Sequence, residues 1–457
     1  MLNTYLTLRK KMIEKEELTR MTMDEKYCRV YERVENLIKK RVHNKVFMAL
    51  GYTSNLDFLC DFQVERLNQL LAEYMPYAEL SKLQPANRID SMEELLGTMV
   101  YYCMNGIGGE VDVENIQLVG ESFPFAYGMG GTGVQAAMAL AELECPSVVH
   151  LTDDSKEICD ILSSPYIYTV SKDGRLVHTE EITQTQEQEI HFIIQFKKGD
   201  VICLGEHKVE IPVSNRLILT KITVNEYVPF SEPYFRWVET HAKQVSSNVL
   251  SSFNALLDSK VLTERLSYVK EHIKKYKSNN PDGIVFFEDA HYHDYTIRKL
   301  CLETIYQWVD IVSLNEEELK YTLDMYGFEV DIENIISCIE GAKYIREKFD
   351  IEKGVIIHTK DYSMYVGEKL NKHIESGLML GNLLATAKAN FGWYGSKEQI
   401  KQILELELSP RGSRNYRIVS ESKYVNEAIL VPSKYIDRPK YTIGLGDSFV
   451  GGVQLCF

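Results

Sequence analysis

The sequence lacks features that mark several common classes of protein. It has no apolar run longer than a strand needs, so we expect no membrane-spanning helix. It has no excess of positive charge, because its net charge is -15. A protein that follows a nucleic-acid backbone needs the opposite balance, so nucleic acid is not an expected partner. A phosphorylated small molecule is compatible with this charge, because it needs only a local basic or N–H-rich pocket.

Paired cysteines are also missing. Nine cysteines are scattered along the chain without a CxxC pair, which is typical of reduced and mostly buried thiols. The stretch MLNTYLTLRKKMIEKEELTR, residues 1–20, has no apolar core followed by a small-residue cleavage site, so we expect no signal peptide. These features together favour a cytoplasmic protein.

The sequence does contain an ordinary globular composition and an alternating pattern. Its 457 residues, 45% of them apolar, are enough for one large domain and a smaller one. The segment DEKYCRVYERVENLIKK predicts an N-terminal helix. The run VFMALGY ends in glycine and predicts a buried strand. The runs GIVFFEDA, WVDIVSLN and KGVIIHTK end in polar residues and alternate with helical segments, which predicts a parallel sheet covered on both faces. The run NIQLVG predicts a further short strand.

Residues 166–222 differ from the rest, because they alternate and turn like an antiparallel sheet. The predicted fold class is α/β, with a doubly wound and mostly parallel sheet and a smaller α/β lid domain built on an antiparallel sheet. The predicted division is an N-terminal helical segment 1–45, a large α/β domain of 46–57, 116–165 and 223–457, and a discontinuous lid of 58–115 and 166–222.

Polar residues follow many of the predicted strands. In an open parallel sheet, ligands bind beyond the carboxyl ends of the strands. The residues at those ends are acids, amides, glycines, a threonine and a histidine, namely Asn55, Asp57, the cluster GMGGTG at 128–133, Glu288, Asn315, Glu318, His358, Thr359 and Asp447. We expect several of them to converge at one rim of the sheet.

The segment GLGD, residues 444–447, has the chemistry of a group-transfer site. Its two glycines let backbone N–H groups turn toward an anion. The helix predicted to begin there favours negative charge at its N-terminus. Asp447 would accept a proton from a substrate hydroxyl while the N–H groups stabilise a transferring phosphoryl group. The alternative is an ordinary turn with Asp447 as the helix N-cap.

Four other side chains and one glycine cluster have competing interpretations. Glu288 and Glu318 would suit Mg²⁺, which prefers oxygen ligands, although Glu318 is also an ordinary first-turn acid. Arg216 has a donor fork suited to phosphate, or forms a surface salt bridge. His191 points into a cleft, or simply out of its strand. The cluster 128–133 lacks the full dinucleotide fingerprint, so it gives hydride transfer little support and also suits close strand–helix packing.

Taken together, these motifs resemble one known family. GYTSNLD resembles a sugar-binding N-x-D strand end, and SMEELLGTMVYYCMNGIGGEVDV resembles a helix with a glycine-rich turn and an acid. HFIIQFKKGD and SNRLI resemble lid strands, SLNEEEL carries N-x-x-E, IIHTKDY resembles an H-T segment, and IGLGDSF carries G-x-G-D. Over residues 46–457 the chain is similar to the ADP-dependent sugar kinases, glucokinase and phosphofructokinase, of the ribokinase-like superfamily.

The resemblance implies a role for each matching residue. Asp447 would be the general base, and an anion hole would be formed by the N–H groups of Gly444, Leu445, Gly446 and Asp447. Contacts to the sugar would come from Asn55, Asp57, Glu110, Gly131 and His191. Contacts to the nucleotide or its network would come from Arg216, Asn315, His358 and Thr359. Mg²⁺ or another divalent cation would be held by Glu288 and Glu318.

The chain departs from the family pattern at four positions. Phe286 stands where the H-x-E motif has its histidine, and Thr132 stands where glutamine is common. Gln195 replaces a common lid acid, and Leu217 replaces a phenylalanine. None of these changes removes the base or the N-x-x-E acid. They bear on the identity of the substrate more than on catalysis.

The resemblance implies an ADP-dependent hexose kinase of glycolysis, which transfers the β-phosphoryl of Mg·ADP to glucose or fructose 6-phosphate and releases AMP. Glu110 favours an unphosphorylated hexose, because a carboxylate repels a nearby phosphate. One alternative is an ATP-dependent ribokinase-like kinase of sugars or nucleosides. Another is a non-catalytic sugar- or nucleotide-binding relative. The expected partners are small molecules, with no nucleic acid or membrane, and the expected assembly is a monomer or small homo-oligomer.

Overall fold

The computed structural model describes residues 21–60, 62–184, 188–292, 294–370, 373–437 and 439–457. The strands are β1 (Phe47–Leu50), β2 (Asn55–Cys60), β3 (Arg88–Ile89), β4 (Gly109–Val113), β5 (Phe125–Gly130), β6 (Ser147–Val149), β7 (Ile167–Val170), β8 (Leu176–His178), β9 (Ile190–Phe196), β10 (Val201–Leu204), β11 (His207–Glu210), β12 (Asn215–Lys221), β13 (Val245–Leu250), β14 (Ile284–Glu288), β15 (Ile311–Asn315), β16 (Gly354–His358), β17 (Tyr362–Gly367) and β18 (Ala428–Pro432).

The α-helices of the described residues are α1 (Met23–Asn44), α2 (Val64–Tyr74), α3 (Met92–Asn105), α4 (Ile116–Ser122), α5 (Thr132–Glu142), α6 (Lys156–Ile161), α7 (Glu232–Thr240), α8 (Ser259–Asn279), α9 (Tyr295–Ile305), α10 (Glu316–Met325), α11 (Ile335–Lys348), α12 (Ile374–Phe391), α13 (Lys397–Leu404), α14 (Pro410–Glu421) and α15 (Leu445–Gln454). Helix α1 confirms the predicted N-terminal helix, while residues 1–20 of that predicted segment lie outside the described residues. Within the described ranges, no helix combines the length and apolar character needed to cross a membrane.

The larger of the two main sheets has ten strands in the order β18-β17-β16-β15-β14-β13-β1-β6-β7-β8. Its centre, from β16 to β7, is entirely parallel, and its edges are antiparallel through the pairs β16/β17, β17/β18 and β7/β8. This confirms the predicted α/β class with a mostly parallel sheet. The carboxyl ends of its central strands therefore meet at one rim, as ligand-binding α/β sheets require.

Both faces of the large sheet are covered. Along β1, Met48 and Leu50 enter one apolar core, while Phe47 and Ala49 enter the other. Alternate residues of a strand point to opposite faces, so a strand that is buried throughout must separate two cores. Helices α1, α5, α12 and α15 contribute to the first core, and helices α7 to α11 contribute to the second. This arrangement confirms the predicted doubly wound architecture.

The second sheet has six strands in the order β3-β4-β12-β9-β2-β5. The pairs β9/β12 and β2/β5 are antiparallel, whereas β3/β4, β4/β12 and β2/β9 are parallel. A separate antiparallel hairpin, β10-β11, lies beside it. Apolar residues of α2 and α3, among them Leu67 and Leu96, are part of the first core and are fully buried.

The chain passes between the two sheets after β1, after β5, after β8 and after β12. These crossings differ from the predicted boundaries. Residues 46–57 and 116–165 were assigned to the large domain, yet β2 and β5 belong to the six-stranded sheet. Residues 166–222 were assigned to the lid, yet β7 and β8 extend the large sheet. The local hairpin pattern of β7 and β8 is real, but alternation alone does not show which sheet edge a hairpin extends.

The prediction that NIQLVG forms a strand is wrong. These residues form helix α4, which begins after Asn115. The Asn115 side chain accepts a hydrogen bond from the Leu118 N–H at 3.2 Å and thereby caps the helix. A short apolar run does not by itself separate a strand from a buried helical turn, and here the capping asparagine decides.

Candidate active site

Asp447 lies in the first turn of α15, at the rim between the two sheets. The helix begins after Gly444, whose φ of 67° lies in the left-handed region that glycine adopts without strain. Leu445, Gly446 and Asp447 are the first three residues of the helix, so their N–H groups have no partner four residues earlier within the helix. The predicted anion hole and the predicted base therefore share one helix N-terminus.

A buried amide holds the Asp447 carboxylate. Gln135 of α5 donates from Nε2 to Asp447 Oδ2 at 2.8 Å. The other end of this amide, Oε1, accepts from Lys388 Nζ and from the Tyr394 hydroxyl, the latter at 3.4 Å. Gln135, Lys388 and Tyr394 are all buried. Among the described residues, Asp447 Oδ1 makes no hydrogen bond, which leaves it available to a ligand.

A second group of polar side chains lies on the six-stranded sheet and faces Asp447. Asn55 donates from Nδ2 to Asp57 Oδ1 at 2.7 Å, and its Nδ2 lies 3.2 Å from His191 Nδ1. The register pairs Asp57 with His191 and His191 with Thr220, so these side chains form one row across β2, β9 and β12. Burial raises the pKa of Asp57, His191 and Lys388 oppose that rise, and Asp447 adds to it. Because the Asp447 charge acts on Asp57, this row lies toward α15, and the space between the row and Asp447 is referred to as the cleft.

Glu189 supports His191 from behind. Its Oε1 lies 3.5 Å from His191 Nε2, while its Oε2 accepts from the Thr223 N–H at 2.6 Å and the Thr223 hydroxyl at 2.8 Å. Burial disfavours the charged His191, but contacts with Glu189 and Asp57 outweigh it and raise the pKa of this imidazole. His191 is thus held in the cleft with one nitrogen toward Glu189 and the other toward Asn55.

The other predicted sugar-contacting residues lie nearby. Glu110 on β4 accepts from the Thr220 hydroxyl at 2.7 Å, next to the row that contains His191. Gly131 has a φ of 100°, and a side chain there would overlap the Thr53 carbonyl. The neighbouring Gly130 leaves the space that the Asn55 and Asp57 side chains occupy. The glycine cluster therefore permits close approach of two backbones beside the cleft.

A third group, of acids, lies on the other side of α15. Glu288 at the end of β14 is buried, and its Oε1 lies 2.8 Å from His358 Nε2. The His358 ring packs against Phe449 of α15 with centroids 4.9 Å apart. Burial raises the pKa of Glu288, against the opposing effect of His358. For His358, burial disfavours charge, but the surrounding glutamates raise its pKa above the ordinary value.

Glu318 completes the acidic group and is itself held by Asn315. The Glu318 carboxylate accepts from the Asn315 N–H at 2.8 Å, and Asn315 Oδ1 accepts from the Glu318 N–H at 2.9 Å. These two bonds form a capping box, so Glu318 is an acid of the first helical turn, as one of its two interpretations predicts. Burial, with Asp289 and Glu288 nearby, raises the pKa of Glu318 to about 8. A bound cation would stabilise the charged form of a buried carboxylate of this kind.

The acidic group fits a divalent cation bound mainly through water. No cluster of three or more metal-ligating side chains occurs within the part of the chain that is described. Mg²⁺ needs few protein ligands, because it keeps much of its water and takes the rest from phosphates. Within the described residues, Glu288 Oε2 has no donor at close hydrogen-bond distance, although the Ser313 hydroxyl opposite it on β15 is near enough to oppose the rise in the Glu288 pKa. A buried carboxylate oxygen in this position can take a cation or a water molecule as a partner.

The remaining predicted residues lie at the edges of these groups. Arg216 is exposed on β12 and pairs in register with Gln195, whose side chain donates to the Thr442 hydroxyl at 3.3 Å. That bond joins the six-stranded sheet to the loop before Gly444, so Arg216 lies at the mouth of the cleft. Thr359 accepts from the Asp361 and Tyr362 N–H groups and closes a turn. It is separate from the sugar-side group.

Two of the changed motif positions have structural explanations. Phe286 is fully buried in the first core, with its ring 6.4 Å from that of Phe457. Glu288 does not need a histidine at that position, because His358 reaches it from β16. Leu217 is likewise buried. These two departures leave the polar groups of the site in place.

Sequence reasoning missed Gln135, Lys388 and Glu189. A signal was available for the first two, because each is a long polar side chain in a mostly apolar helical segment, in VQAAMALAEL and GLMLGNLLATAKANF. A long polar side chain in such a position must be hydrogen-bonded or exposed. Nothing in the sequence shows that Gln135 meets Asp447, which lies 312 residues away, or that Lys388 in turn bonds Gln135.

Known proteins are similar to this chain in sequence. Residues 46–452 match the ADP-specific phosphofructokinase/glucokinase conserved region. An ADP-dependent glucose/glucosamine kinase of Pyrococcus abyssi is 25% identical, with 94% of this chain and 97% of that protein covered. An ADP-specific phosphofructokinase of Pyrococcus furiosus is 23% identical, with 89% and 96% covered.

Solved structures agree on the fold. A crystal structure described as a hypothetical ADP-dependent phosphofructokinase from Pyrococcus horikoshii has a TM-score of 0.75 and 22% identity, covering 90% of this chain and 97% of its own. An ADP-dependent kinase in complex with fructose-6-phosphate and ADPβS has a TM-score of 0.74 and 20% identity, covering 95% and 97%. Because the conserved region spans most of the chain, this protein belongs to the ADP-specific phosphofructokinase/glucokinase family.

Proposed function

We propose that this protein is an ADP-dependent sugar kinase, which transfers the β-phosphoryl group of ADP to a hydroxyl of a hexose and forms AMP and a sugar phosphate. The observation that carries the proposal is the position of Asp447. Its carboxylate lies at a helix N-terminus, with the row of Asn55, Asp57 and His191 on one side and the acids Glu288 and Glu318 on the other. A base between a hydroxyl-binding surface and a cation site suits phosphoryl transfer.

In this mechanism Asp447 takes the proton of the acceptor hydroxyl. Asp447 Oδ2 is engaged by Gln135, so Oδ1 is the oxygen that receives the proton. The hydroxyl oxygen forms a bond to the β-phosphorus as the bond from that phosphorus to the α,β-bridging oxygen breaks. The N–H groups of Gly444, Leu445, Gly446 and Asp447 stabilise the negative charge on the transferring group. Arg216 at the mouth of the cleft neutralises nucleotide phosphates.

Mg²⁺ or another divalent cation would be held by Glu288 and Glu318, mainly through water, and would supply charge neutralisation at the phosphates. Asn315 holds Glu318 in place, and His358 holds Glu288. His358 therefore orients an acid of the cation site through its Nε2, and through that acid it contributes to the network around the nucleotide. Thr359 holds the turn that follows His358.

The acceptor is glucose or fructose 6-phosphate, and Glu110 favours the unphosphorylated sugar. Its carboxylate, bonded to Thr220, lies beside Asp57 and Glu189 in a part of the cleft rich in negative charge. Such a surface accepts hydrogen bonds from hydroxyl groups and repels a phosphate. We further propose a glycolytic role in the cytoplasm, with the protein acting as a monomer or small homo-oligomer and without a nucleic-acid or membrane partner.

The first experiment measures AMP formed from Mg·ADP with glucose and, separately, with fructose 6-phosphate, beside the same reactions with Mg·ATP. We expect AMP with one sugar and little turnover of ATP. Turnover of ATP alone would assign the chain to the ATP-dependent branch of the superfamily. Binding of sugar and nucleotide without turnover of either nucleotide would indicate a non-catalytic relative.

The control is a pair of matched substitutions. Asp447→Asn removes the base and is expected to lower kcat by about a thousandfold or more, since general-base catalysis contributes about 10² to 10⁴. Asp324→Asn removes a surface acid that pairs with Lys320 on α10, and should leave kcat unchanged. Equal activity of the two variants would contradict the role of Asp447.

A further inference from the structure

Lys388 is a buried cation that has no role in the mechanism above. Lys388 lies in the apolar helix α12, is 8% exposed, and has its ammonium 4.3 Å from the centre of the Tyr394 ring. Lysine is rarely buried to this degree unless it has a partner. Its hydrogen bond goes to Gln135 Oε1, and the nearby carboxylates that act on its charge are Asp447 and Asp57.

The hydrogen-bonding capacities of these groups fix one arrangement. A lysine ammonium has three donors and no acceptor, so the atom of Gln135 that faces it must be the carbonyl oxygen. The amide nitrogen then faces Asp447, and it can only donate. Asp447 Oδ2 must therefore accept, as an unprotonated carboxylate oxygen does, at the observed 2.8 Å. The charge on Lys388 thus determines the orientation of a carboxylate that it does not touch.

A separate observation connects the same two residues with the backbone of the anion hole. A side chain at Gly444 would overlap both Gln135 Oε1 and Lys388 Nζ. Lys388 and Gln135 therefore pack directly beneath the turn whose N–H groups begin α15. A change in either side chain would alter the carboxylate of Asp447 and the support of this turn together.

We propose that Lys388 and Gln135 are positioning residues that hold the base: Lys388 orients the Gln135 amide, and the amide directs Asp447 Oδ1 toward the acceptor hydroxyl. This inference rests on the proposed kinase function. It assigns no contact with substrate to Lys388. The Lys388 ammonium also attracts the Asp447 and Asp57 carboxylates. It thereby lowers the electrostatic cost of holding two negative charges in one cleft.

The test compares Lys388→Met with Lys434→Met. Methionine is close to lysine in length and removes only the ammonium. Lys434 is also buried, at 2% exposed, and is bound by Asp24 and the Leu404 and Leu406 carbonyls away from the cleft. For Lys388→Met we expect kcat to fall about 100-fold, with the KM of the sugar changed less than about threefold. The Lys434→Met variant should keep the wild-type kcat if it folds.

A pH profile separates positioning from a merely structural role. If the ammonium is what fixes the amide, the loss of kcat as the pH rises through about 8, the pKa to which burial lowers Lys388, should be absent from Lys388→Met. Gln135→Met removes the amide that the ammonium orients, so it should lose the same alkaline limb, and it is the second variant if Lys388→Met does not fold. An unchanged kcat would overturn the inference. So would a raised KM with unchanged kcat, which would make Lys388 a sugar-binding residue.

A crystal structure of Lys388→Met decides the point without any turnover. We expect the Gln135 amide to leave Asp447, with the Nε2–Oδ2 distance well beyond 2.8 Å. If the amide keeps its place, the inference is wrong even though the kinase function stands. If the wild type turns over no nucleotide, the proposed function fails, and the structure of the variant still shows whether Lys388 orients Gln135.

Discussion

His358 reaches Glu288 across an intervening strand: the two side chains meet at 2.8 Å although β15 lies between β14 and β16. The contact is possible because both residues end their strands at the same rim, where side chains are free to lean over a neighbour. It ties the acid that would hold Mg²⁺ to the helix that carries Asp447, since the His358 ring also packs on Phe449.

Replacing His358 by glutamine should weaken the use of Mg²⁺. Residues that orient a metal-binding carboxylate typically contribute 10- to 100-fold in affinity or activity, so we expect the apparent KM for Mg²⁺ to rise by about that factor. The measurement is the initial rate against Mg²⁺ concentration at saturating ADP and sugar. His241→Gln, which removes a ring stacked on Trp237 far from the acids, is the control and should not change this KM.

Gly444→Ala should lower kcat, and Gly327→Ala is the matched control for the strain of a positive φ. Both glycines have positive φ, at 67° and 71°, so alanine strains either backbone by about 1–2 kcal/mol. Nothing lies within 4 Å of a side chain at Gly327, whereas one at Gly444 would displace Gln135 and Lys388. We expect Gly444→Ala to lose more unfolding free energy in urea than Gly327→Ala, because it also disturbs two buried side chains, and we expect a kcat loss of about 100-fold for Gly444→Ala alone. Equal kcat values in the two variants would contradict this.

Activity should decline as the pH rises above about 8. Burial lowers the pKa of Lys388 to about 8, against the opposing effect of Asp447 and Asp57, with the Tyr394 ring as its remaining close neighbour. The ammonium is present below that pH and is lost above it, so the amide of Gln135 is fixed only on the acid side. We expect an alkaline limb in the kcat profile near pH 8. Lys388→Arg keeps its charge, so any activity it retains should persist to higher pH.

Stability should fall as the pH drops below 6.5, because His150 is buried in its neutral form. Its Nε2 accepts from the Ser231 N–H at 2.9 Å, and its Nδ1 lies 2.7 Å from the Tyr52 carbonyl. Both nitrogens are satisfied only when one carries no proton. Burial lowers the pKa of His150 from 6.5 to about 4, so the unfolded chain takes up the proton first.

This His150 shift corresponds to about 2 kcal/mol of unfolding free energy lost between pH 7 and pH 5. Urea unfolding at both pH values measures it. His150→Gln cannot titrate, so its unfolding free energy should change with pH by about 2 kcal/mol less than that of the wild type. An identical pH dependence in the two proteins would show that His150 does not stay neutral when folded.

The residues at strand ends were predictable from the sequence, and those behind them were not. The apolar run that stops at Glu288 places that acid at the end of a strand, and the glycines of GLGD place Asp447 in the first turn of a helix, whereas Asp57 lies inside β2 of the second sheet and not at the end of β1. Gln135 and Lys388 lie inside helices, and their partners are 312 and 253 residues away in the chain. Such pairs depend on how whole layers pack, which local periodicity does not encode. The same limit explains why the predicted boundaries do not coincide with the sheets that contain β2, β5, β7 and β8.

The four passages of the chain between its sheets have a consequence for synthesis on the ribosome. The six-stranded sheet cannot be complete until Lys221 has been made, because β12 supplies an inner strand. Strand β1 lacks its parallel partner β13 until Leu250 has been made. The nascent chain therefore holds two unfinished sheets at once, with exposed edges that need a chaperone or rapid completion. For the same reason, no single cut of the chain can release one sheet intact from the other.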